Sequence, residues 1–317
     1  MERTGNSFRQ VAKRVSRVLL ILALAVVAVA YVSFRRDLGA ARGRLARIPT
    51  RIYSSKYGDI EYLLVGQGPT VLISHGVTGG VDQGLSLTDE FGTFPKGCRF
   101  LYVSRFGYLR SSIPANASSR LQAAAYRELA DHLGIDKVFV FGNSGGGPSA
   151  MWFAVDYPER TKGLILLSSA VPGARIASTP PLVFRYDFAY WLAVKMLPGT
   201  LIRIFVPEGF LLTREEKDFL VANVFEHALP ISERSEGIMF DNRISTPTVG
   251  EIPFERITAP TLILHAADDP APPIEGARQV ARRIPNSRLV VLDGGHFLLR
   301  HGPEILSRTG EFVNKYD

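Results

Sequence analysis

The sequence has a single cysteine, Cys98, among 317 residues. One thiol excludes an intramolecular disulfide and any metal centre built from a cluster of cysteines. Cys98 directly precedes the apolar run RFLYVS, so we expect a buried structural thiol rather than a reactive one. The chain also lacks internal repeats and low-complexity segments, and its 46% hydrophobic and 21% charged residues are typical of a globular protein.

Acidic residues are scarce in the first 51 positions, which hold eleven basic residues and two acidic ones. This segment therefore carries a net charge of +9, and because the whole chain carries +7, the remainder carries −2. A nucleic-acid-binding protein needs positive charge on its folded part, so this distribution argues against a nucleic-acid partner. It favours contact between the N-terminal segment and an anionic membrane surface.

No charge interrupts residues 18–34, VLLILALAVVAVAYVSF, and a helix of this length just crosses a hydrocarbon core of about 30 Å. Two interpretations remain open: a retained, single-pass signal anchor, or a secretory signal that is cleaved after Ala30. The apolar run continues beyond Ala30 to Phe34, which favours the anchor. Basic residues flank both ends of the run and nearly cancel the positive-inside bias. We expect the folded domain to lie outside the cytoplasm, because a short basic N-terminus precedes the first apolar helix.

Downstream of Thr50, short apolar runs of strand length alternate with stretches of helical periodicity. This alternation predicts an α/β fold with a mostly parallel, eight-stranded sheet flanked by helices. The predicted strands lie in IYSSKYG, IEYLLVG, TVLIS, RFLYVS, KVFVFG, GLILLSS, TLILHA and RLVVLD. Ser119 and Gln122 have the spacing of a capping box at the start of the helix that precedes KVFVFG.

The stretch from about residue 174 to 251 breaks the alternation and is rich in aromatic residues. We interpret it as a mainly helical cap between two core strands, with some of its aromatic side chains facing a ligand at the carboxyl ends of the strands. The sequence is thus predicted to comprise a basic tail (1–17), a transmembrane helix or signal anchor (18–34), a basic spacer (35–51), a core (52–173 and 252–317) and the cap (174–251).

The hexapeptide GNSGGG places Ser144 directly after a predicted strand and directly before a predicted helix. This is the context of a GxSxG nucleophile turn, in which small residues at Gly142 and Gly146 relieve backbone crowding. The following helix directs its N-terminal amides toward the reacting oxygen. Ser144 is therefore the predicted nucleophile.

A serine nucleophile needs a base, and the base needs an acid that orients it. His296 is the predicted base, because RLVVLDGGH places it on a glycine turn just after a strand. TLILHAADDPAPP ends a strand with two carboxylates, of which Asp269 is the predicted acid and Asp268 the alternative.

A glycine-rich turn follows another strand in TVLISHGVTGG. Such a turn exposes a backbone amide at Val77, which is predicted to form an oxyanion hole together with the amide of Gly145. His75, at the start of the turn, is predicted to orient the loop through a ring hydrogen bond and to take no part in the chemistry.

Four motifs follow one another in a characteristic order, and they are the HG turn at 75–76, the serine turn at 142–146, Asp269 and the GGH at 294–296. Because of these motifs, the part of the chain from about Tyr53 to the C-terminus resembles the α/β-hydrolase superfamily. The resemblance implies a triad of Ser144, Asp269 and His296, an oxyanion hole from Val77 and Gly145, and a cap after the strand that ends near residue 169.

The same resemblance limits the reactions that we expect. A serine at position 144 disfavours the epoxide hydrolases and haloalkane dehalogenases of this fold, which use an aspartate nucleophile. Asn143 resembles the residue before the serine in hydrolases that cleave carbon–carbon bonds of ring-cleavage products. The leading hypothesis is a membrane-anchored, carboxylesterase-like serine hydrolase that needs no metal or organic cofactor and cleaves ester or lipid-like small molecules with an apolar part.

Two further classes stay open at this stage. The same triad could cleave a carbon–carbon bond or an amide instead of an ester. Alternatively, the protein could be a receptor that keeps the pocket and has lost turnover.

Overall fold

The computed structural model describes residues 2–174 and 181–317. Residues 1 and 175–180, which belong to the predicted tail and cap, lie outside the described residues. The chain divides into an N-terminal unit that ends at Ala46 and a main unit from Arg47 to Asp317.

The N-terminal unit is a single helix. Its sequence from Val18 onward is rich in alanine and leucine, which favour helices, and contains no proline before Pro49. Pro49 disfavours helical geometry at the residue before it, in agreement with a helix that stops at Ala46. By length and composition, residues 13–46 of this helix could cross a membrane.

Eight strands form one sheet in the main unit, which confirms the predicted strand number. They are β1 (Arg51–Ser55), β2 (Gly58–Gly66), β3 (Thr70–Ser74), β4 (Arg99–Val103), β5 (Val138–Asn143), β6 (Thr161–Leu167), β7 (Thr261–Ala266) and β8 (Ser287–Leu292). Their order across the sheet is β1-β2-β4-β3-β5-β6-β7-β8. β2 runs antiparallel to its neighbours β1 and β4, and all other neighbouring strands are parallel.

Eleven α-helices are present in the described part of the chain. They are α1 (Glu2–Ala46), α2 (Val81–Asp89), α3 (Ser119–His132), α4 (Gly147–Asp156), α5 (Pro181–Arg185), α6 (Asp187–Met196), α7 (Pro198–Ile202), α8 (Arg214–Leu220), α9 (Ser235–Phe240), α10 (Ile274–Arg283) and α11 (Gly302–Tyr316). Short 3₁₀ turns lie at Ser144–Gly146, Pro158–Arg160, Ser232–Arg234, Val249–Glu251, Phe254–Arg256 and Gly295–Phe297, and π turns at Val221–Glu226 and Asp241–Ser245.

Both faces of the sheet are covered. All five residues of β3 are buried, and Leu72 belongs to one apolar cluster whereas Val71 and Ile73 belong to another. Successive side chains of a strand point to opposite faces, so the two clusters lie on opposite sides of the sheet. This explains why the strands read as continuous apolar runs in the sequence.

The predicted start of α3 was wrong by one residue. Ser118, and not Ser119, is the N-cap, and its side chain accepts a hydrogen bond from the N–H of Leu121. Gln122 does not close a capping box, because its side-chain oxygen accepts a hydrogen bond from the buried N–H of Phe106. The capping-box spacing between Ser119 and Gln122 therefore does not mark the N-cap, which is the serine one position earlier.

The stretch of residues 174–251 between β6 and β7, called the cap segment below, contains α5 to α9. Every regular element in its described part, from residue 181 onward, is helical. Because it follows the carboxyl end of β6, it begins at the same edge of the sheet as the loops after β3, β5 and β7.

Candidate active site

Ser144 occupies a strained turn between β5 and α4. Its φ angle is +47°, in the left-handed region that residues other than glycine rarely adopt and that costs about 1–3 kcal/mol. A methyl group added to Gly146 would lie 2.1 Å from the carbonyl oxygen of Ser74, so only glycine fits where the turn passes under β3. The left-handed backbone at Ser144 and the close packing of Gly146 against Ser74 make a sharp turn, which places the Ser144 hydroxyl beyond the end of the sheet.

The pairing of β3 with β5 brings the HG loop beside this turn. Ser74 pairs with Gly142, so the residues after each strand emerge side by side. Val77 and Gly145 line the same cavity as Ser144. Among the residues that the structure describes, the Val77 N–H has no acceptor, so it is available to a substrate oxygen.

His296 reaches Ser144 from the turn after β8. Gly294 and Gly295 have φ angles of +89° and +67°, which let the chain fold back toward the sheet. The Nε2 atom of His296 lies 3.0 Å from the Oγ of Ser144. The backbone N–H of His296 donates to the carbonyl oxygen of Phe205 in the cap segment at 2.8 Å, and the two rings are 5.4 Å apart.

Of the two candidate carboxylates, Asp269 lies next to His296. Its Oδ2 is 2.8 Å from the Nδ1 of His296, and its Oδ1 accepts from the N–H of Ala271 at 3.0 Å. An ionised carboxylate only accepts, so the neutral ring carries its proton on Nδ1 and leaves Nε2 free to accept from the Ser144 hydroxyl. Asp268 instead accepts from the N–H groups of Gly294 and Gly295 and so holds the turn that carries His296.

The other histidines have different partners. His75 is fully buried and its Nδ1 lies 2.7 Å from the carbonyl oxygen of Gly76, which matches its predicted role of orienting the loop. The remaining contacts are His132 stacked on Tyr53, His227 beside Asp82, His265 against the Pro272 carbonyl, and His301 with Asp293.

A cavity of about 400 Å³ opens at Ser144 and His296. Much of its wall is apolar and comes from the cap segment, including Phe184, Leu201, Ile204, Phe205, Phe219 and Phe225. Among the described residues of the wall, Glu90 and Arg300 carry the formal charges. The Nε and Nη2 atoms of Arg300 donate to Glu216 at 2.7 and 2.9 Å, so this cation is already paired with a carboxylate.

Two buried ion pairs near the site could not be foreseen from the sequence. Arg105 binds Asp241 through both terminal nitrogens, and Arg234 binds Asp82 in the same way. Burial alone would raise the pKa of Asp82, but Arg234 lowers it well below its usual range. A charged side chain is usually solvated, and nothing in the local sequence distinguishes these four from surface charges.

This combination of sheet order, serine turn and helical insertion is the α/β-hydrolase fold, and the chain belongs to the α/β-hydrolase superfamily. The family model described as alpha/beta hydrolase fold matches residues 69–195, and a model described as TAP-like protein matches residues 242–304. The solved structure of an α/β-hydrolase fold protein from Nakamurella multipartita superposes with a TM-score of 0.66 at 26% identity. That match covers 83% of this chain and 98% of the other.

Relatives with named activities are hydrolases. A 2-hydroxy-6-oxo-6-phenylhexa-2,4-dienoate hydrolase of Burkholderia cepacia is 27% identical over 71% of this chain and 80% of its own length. A poly(3-hydroxyalkanoate) depolymerase of Ectopseudomonas oleovorans is 31% identical over 53% of this chain and 58% of its own length. The chain is therefore similar to hydrolases that differ in the bond they cleave.

Proposed function

We propose that the protein is a serine hydrolase that cleaves neutral carboxylic esters with an apolar acyl part, using Ser144, His296 and Asp269. The observation that carries this proposal is the continuous chain of hydrogen bonds from Ser144 through His296 to Asp269. In this chain of hydrogen bonds, Nδ1 of His296 donates to Asp269, and Nε2 faces the Ser144 hydroxyl as an acceptor.

In the acylation step, the Oγ of Ser144 attacks the ester carbonyl while Nε2 of His296 takes its proton. The carbonyl oxygen becomes an oxyanion, which the N–H groups of Val77 and Gly145 stabilise. The tetrahedral intermediate expels the alcohol, which receives the proton from His296, and leaves an acyl group on Ser144. Water then attacks the acyl-enzyme with His296 again as base, and the acid is released.

The cavity favours a neutral ester over an anionic dienoate. The name of the Burkholderia relative specifies a substrate with a carboxylate, and such a group needs a cation or several donors when it is buried. In this chain Arg300 is bound by Glu216, and Glu90 adds a negative charge to the wall. The depolymerase, by contrast, acts on a polyester according to its name, in line with ester cleavage here.

A pair of matched esters tests this preference. The 4-nitrophenyl ester of hexanoic acid should be hydrolysed with a kcat/KM about 100-fold or more above that of the analogue with a terminal carboxylate, because the carboxylate would be buried without a free cation. Kinetics with acyl chains of about two to ten carbons would give the preferred length. Faster turnover of the carboxylate analogue, or of a dienoate, would refute the ester proposal and favour carbon–carbon cleavage.

We also propose that α1 anchors the protein in a membrane as a single-pass helix, with the catalytic unit outside the cytoplasm. Residues 13–46 satisfy the length and composition of a spanning helix, and the short basic N-terminus precedes the first apolar segment. The full chain should sediment with membranes and resist extraction at alkaline pH, and external protease should digest the catalytic unit in intact cells. A soluble product shorter by about 3 kDa would instead indicate a signal cleaved after Ala30.

A further inference from the structure

The peptide unit between Gly76 and Val77 is held from its carbonyl end. The carbonyl oxygen of Gly76 lies 2.7 Å from Nδ1 of His75. It accepts hydrogen bonds from Nη2 of Arg105 at 3.2 Å and from the N–H of Gly79 at 3.3 Å. The N–H of Val77 belongs to the same planar peptide unit. Groups that fix the Gly76 oxygen therefore also fix the direction of the Val77 N–H.

The donor and the acceptor in the contact between His75 and Gly76 can be assigned. Its Nε2 accepts from the backbone N–H of Arg105 at 3.0 Å, so the neutral ring carries its proton on Nδ1 and donates it to Gly76. Burial lowers the pKa of His75 well below its usual range, and the positive charge of Arg105 lowers it further. The ring therefore stays neutral and keeps this tautomer.

The Arg105 guanidinium is positioned by the cap segment. Asp241 accepts from Nη1 at 2.7 Å and from Nη2 at 2.5 Å, and it also accepts from the hydroxyl of Tyr108. The side chains of Arg105 and Asp241 are 1% and 0% exposed. Burial alone would lower the pKa of Arg105, but Asp241 raises it, so the guanidinium keeps its charge.

We propose that Arg105 is a positioning residue for the oxyanion hole, and that Asp241 of the cap segment holds it in place. This inference rests on the proposed serine hydrolase function. A cation bound to the Gly76 oxygen draws electron density away from the Val77 N–H, which strengthens that N–H as a donor. It also keeps the donor aimed before the oxyanion forms, and such preorganisation stabilises the transition state more than the bound substrate.

The test removes the ion pair without leaving a buried charge. In the double variant Arg105→Met/Asp241→Asn, kcat on a neutral ester should fall about 10- to 100-fold with little change in KM, because one oxyanion donor loses its support. Affinity for an alkyl boronic acid, which forms a tetrahedral adduct with a nucleophilic serine, should fall by a similar factor. The variant Arg105→Lys keeps the charge but replaces the two-nitrogen fork that binds Asp241 and Gly76 with a single nitrogen, so it should show the same loss of kcat.

The second buried ion pair provides a matched control. Arg234 and Asp82 are equally buried and join the cap segment to the start of α2, but Arg234 bonds to the Gly79 carbonyl and reaches the Gly76 oxygen only indirectly, through the Gly79 N–H. Arg234→Met/Asp82→Asn should therefore lower kcat at least about threefold less than Arg105→Met/Asp241→Asn does, even if thermal stability falls.

The outcomes separate this inference from the proposed function. Wild-type protein that neither hydrolyses esters nor reacts with a fluorophosphonate would refute the serine hydrolase itself. An active wild type with unchanged kcat and boronate affinity in Arg105→Lys, or in the folded Arg105→Met/Asp241→Asn variant, would overturn only the positioning role. Equal losses in both double variants would also overturn it, because the loss would then follow from removing any buried ion pair.

Discussion

Replacing Ser144 with alanine is expected to lower ester turnover by about 10⁴-fold or more, because the acyl group then has no oxygen to which it can be transferred. The substitution removes one hydroxyl from a residue whose backbone position is set by Gly146 and β3, so the fold should not change. Steady-state kinetics on 4-nitrophenyl esters of short and medium chain length measures the effect, and a fluorophosphonate probe should label the wild type and not the variant.

Ser169→Ala is the matched control for this experiment. Ser169 is buried next to the nucleophile turn, its hydroxyl donates to the carbonyl of Ala170, and it does not contact His296. Its loss should leave kcat within about threefold of wild type and leave the labelling intact. Unchanged turnover in Ser144→Ala would refute the nucleophile assignment, and a wild type that is neither active nor labelled would support the receptor alternative.

Replacing Asp269 with asparagine is expected to lower kcat by about 10³- to 10⁴-fold while substrate binding changes little. The amide can donate to Nδ1 of His296, which would move the ring proton to Nε2. A protonated Nε2 cannot accept from the Ser144 hydroxyl, so the base would be present in the wrong tautomer. Kinetics over a pH series, together with fluorophosphonate labelling rates, would show the loss in the acylation step.

Asp268→Asn distinguishes the two neighbouring carboxylates. Asp268 accepts from two glycine N–H groups and has no bond to His296, and asparagine keeps one acceptor oxygen. Its kcat should fall by less than about tenfold. A larger loss in Asp268→Asn than in Asp269→Asn would reverse the assignment of the acid.

The strands were the most predictable part of the fold. TVLIS and TLILHA match β3 and β7 residue for residue, because strands buried on both faces need an unbroken run of apolar side chains. The start of α3 was less predictable, because Ser118 and Ser119 are equally suitable N-caps and tertiary contacts decide between them. The apolar run at 18–34 predicted a helix there, and its continuation to Ala46 runs through the helix-favouring residues Ala, Leu and Arg, with Gly39 and Gly43 among them.

At the candidate site, the residues carried by glycine turns could be proposed from the sequence, since turns after parallel strands all emerge at one edge of the sheet. Asp269 could be favoured over Asp268 from the prolines that follow it, with Asp268 kept as the alternative, because adjacent side chains differ only in the direction that the backbone gives them. Arg105 and Asp241 are separated by 136 positions, and no local pattern links them. Their pairing follows from how the cap segment folds, which periodicity does not determine.

The contact between Phe205 and His296 joins the substrate cavity to the support of the proposed base. The Phe205 ring lines the cavity, whereas its backbone carbonyl receives the N–H of His296. Every residue type has that carbonyl, so a substitution at position 205 can alter which substrates fit without removing the hydrogen bond. The shape of the cavity and the support of His296 thus reside in different atoms of one residue, so a variant at position 205 can change which substrates fit while the backbone contact to His296 stays in place.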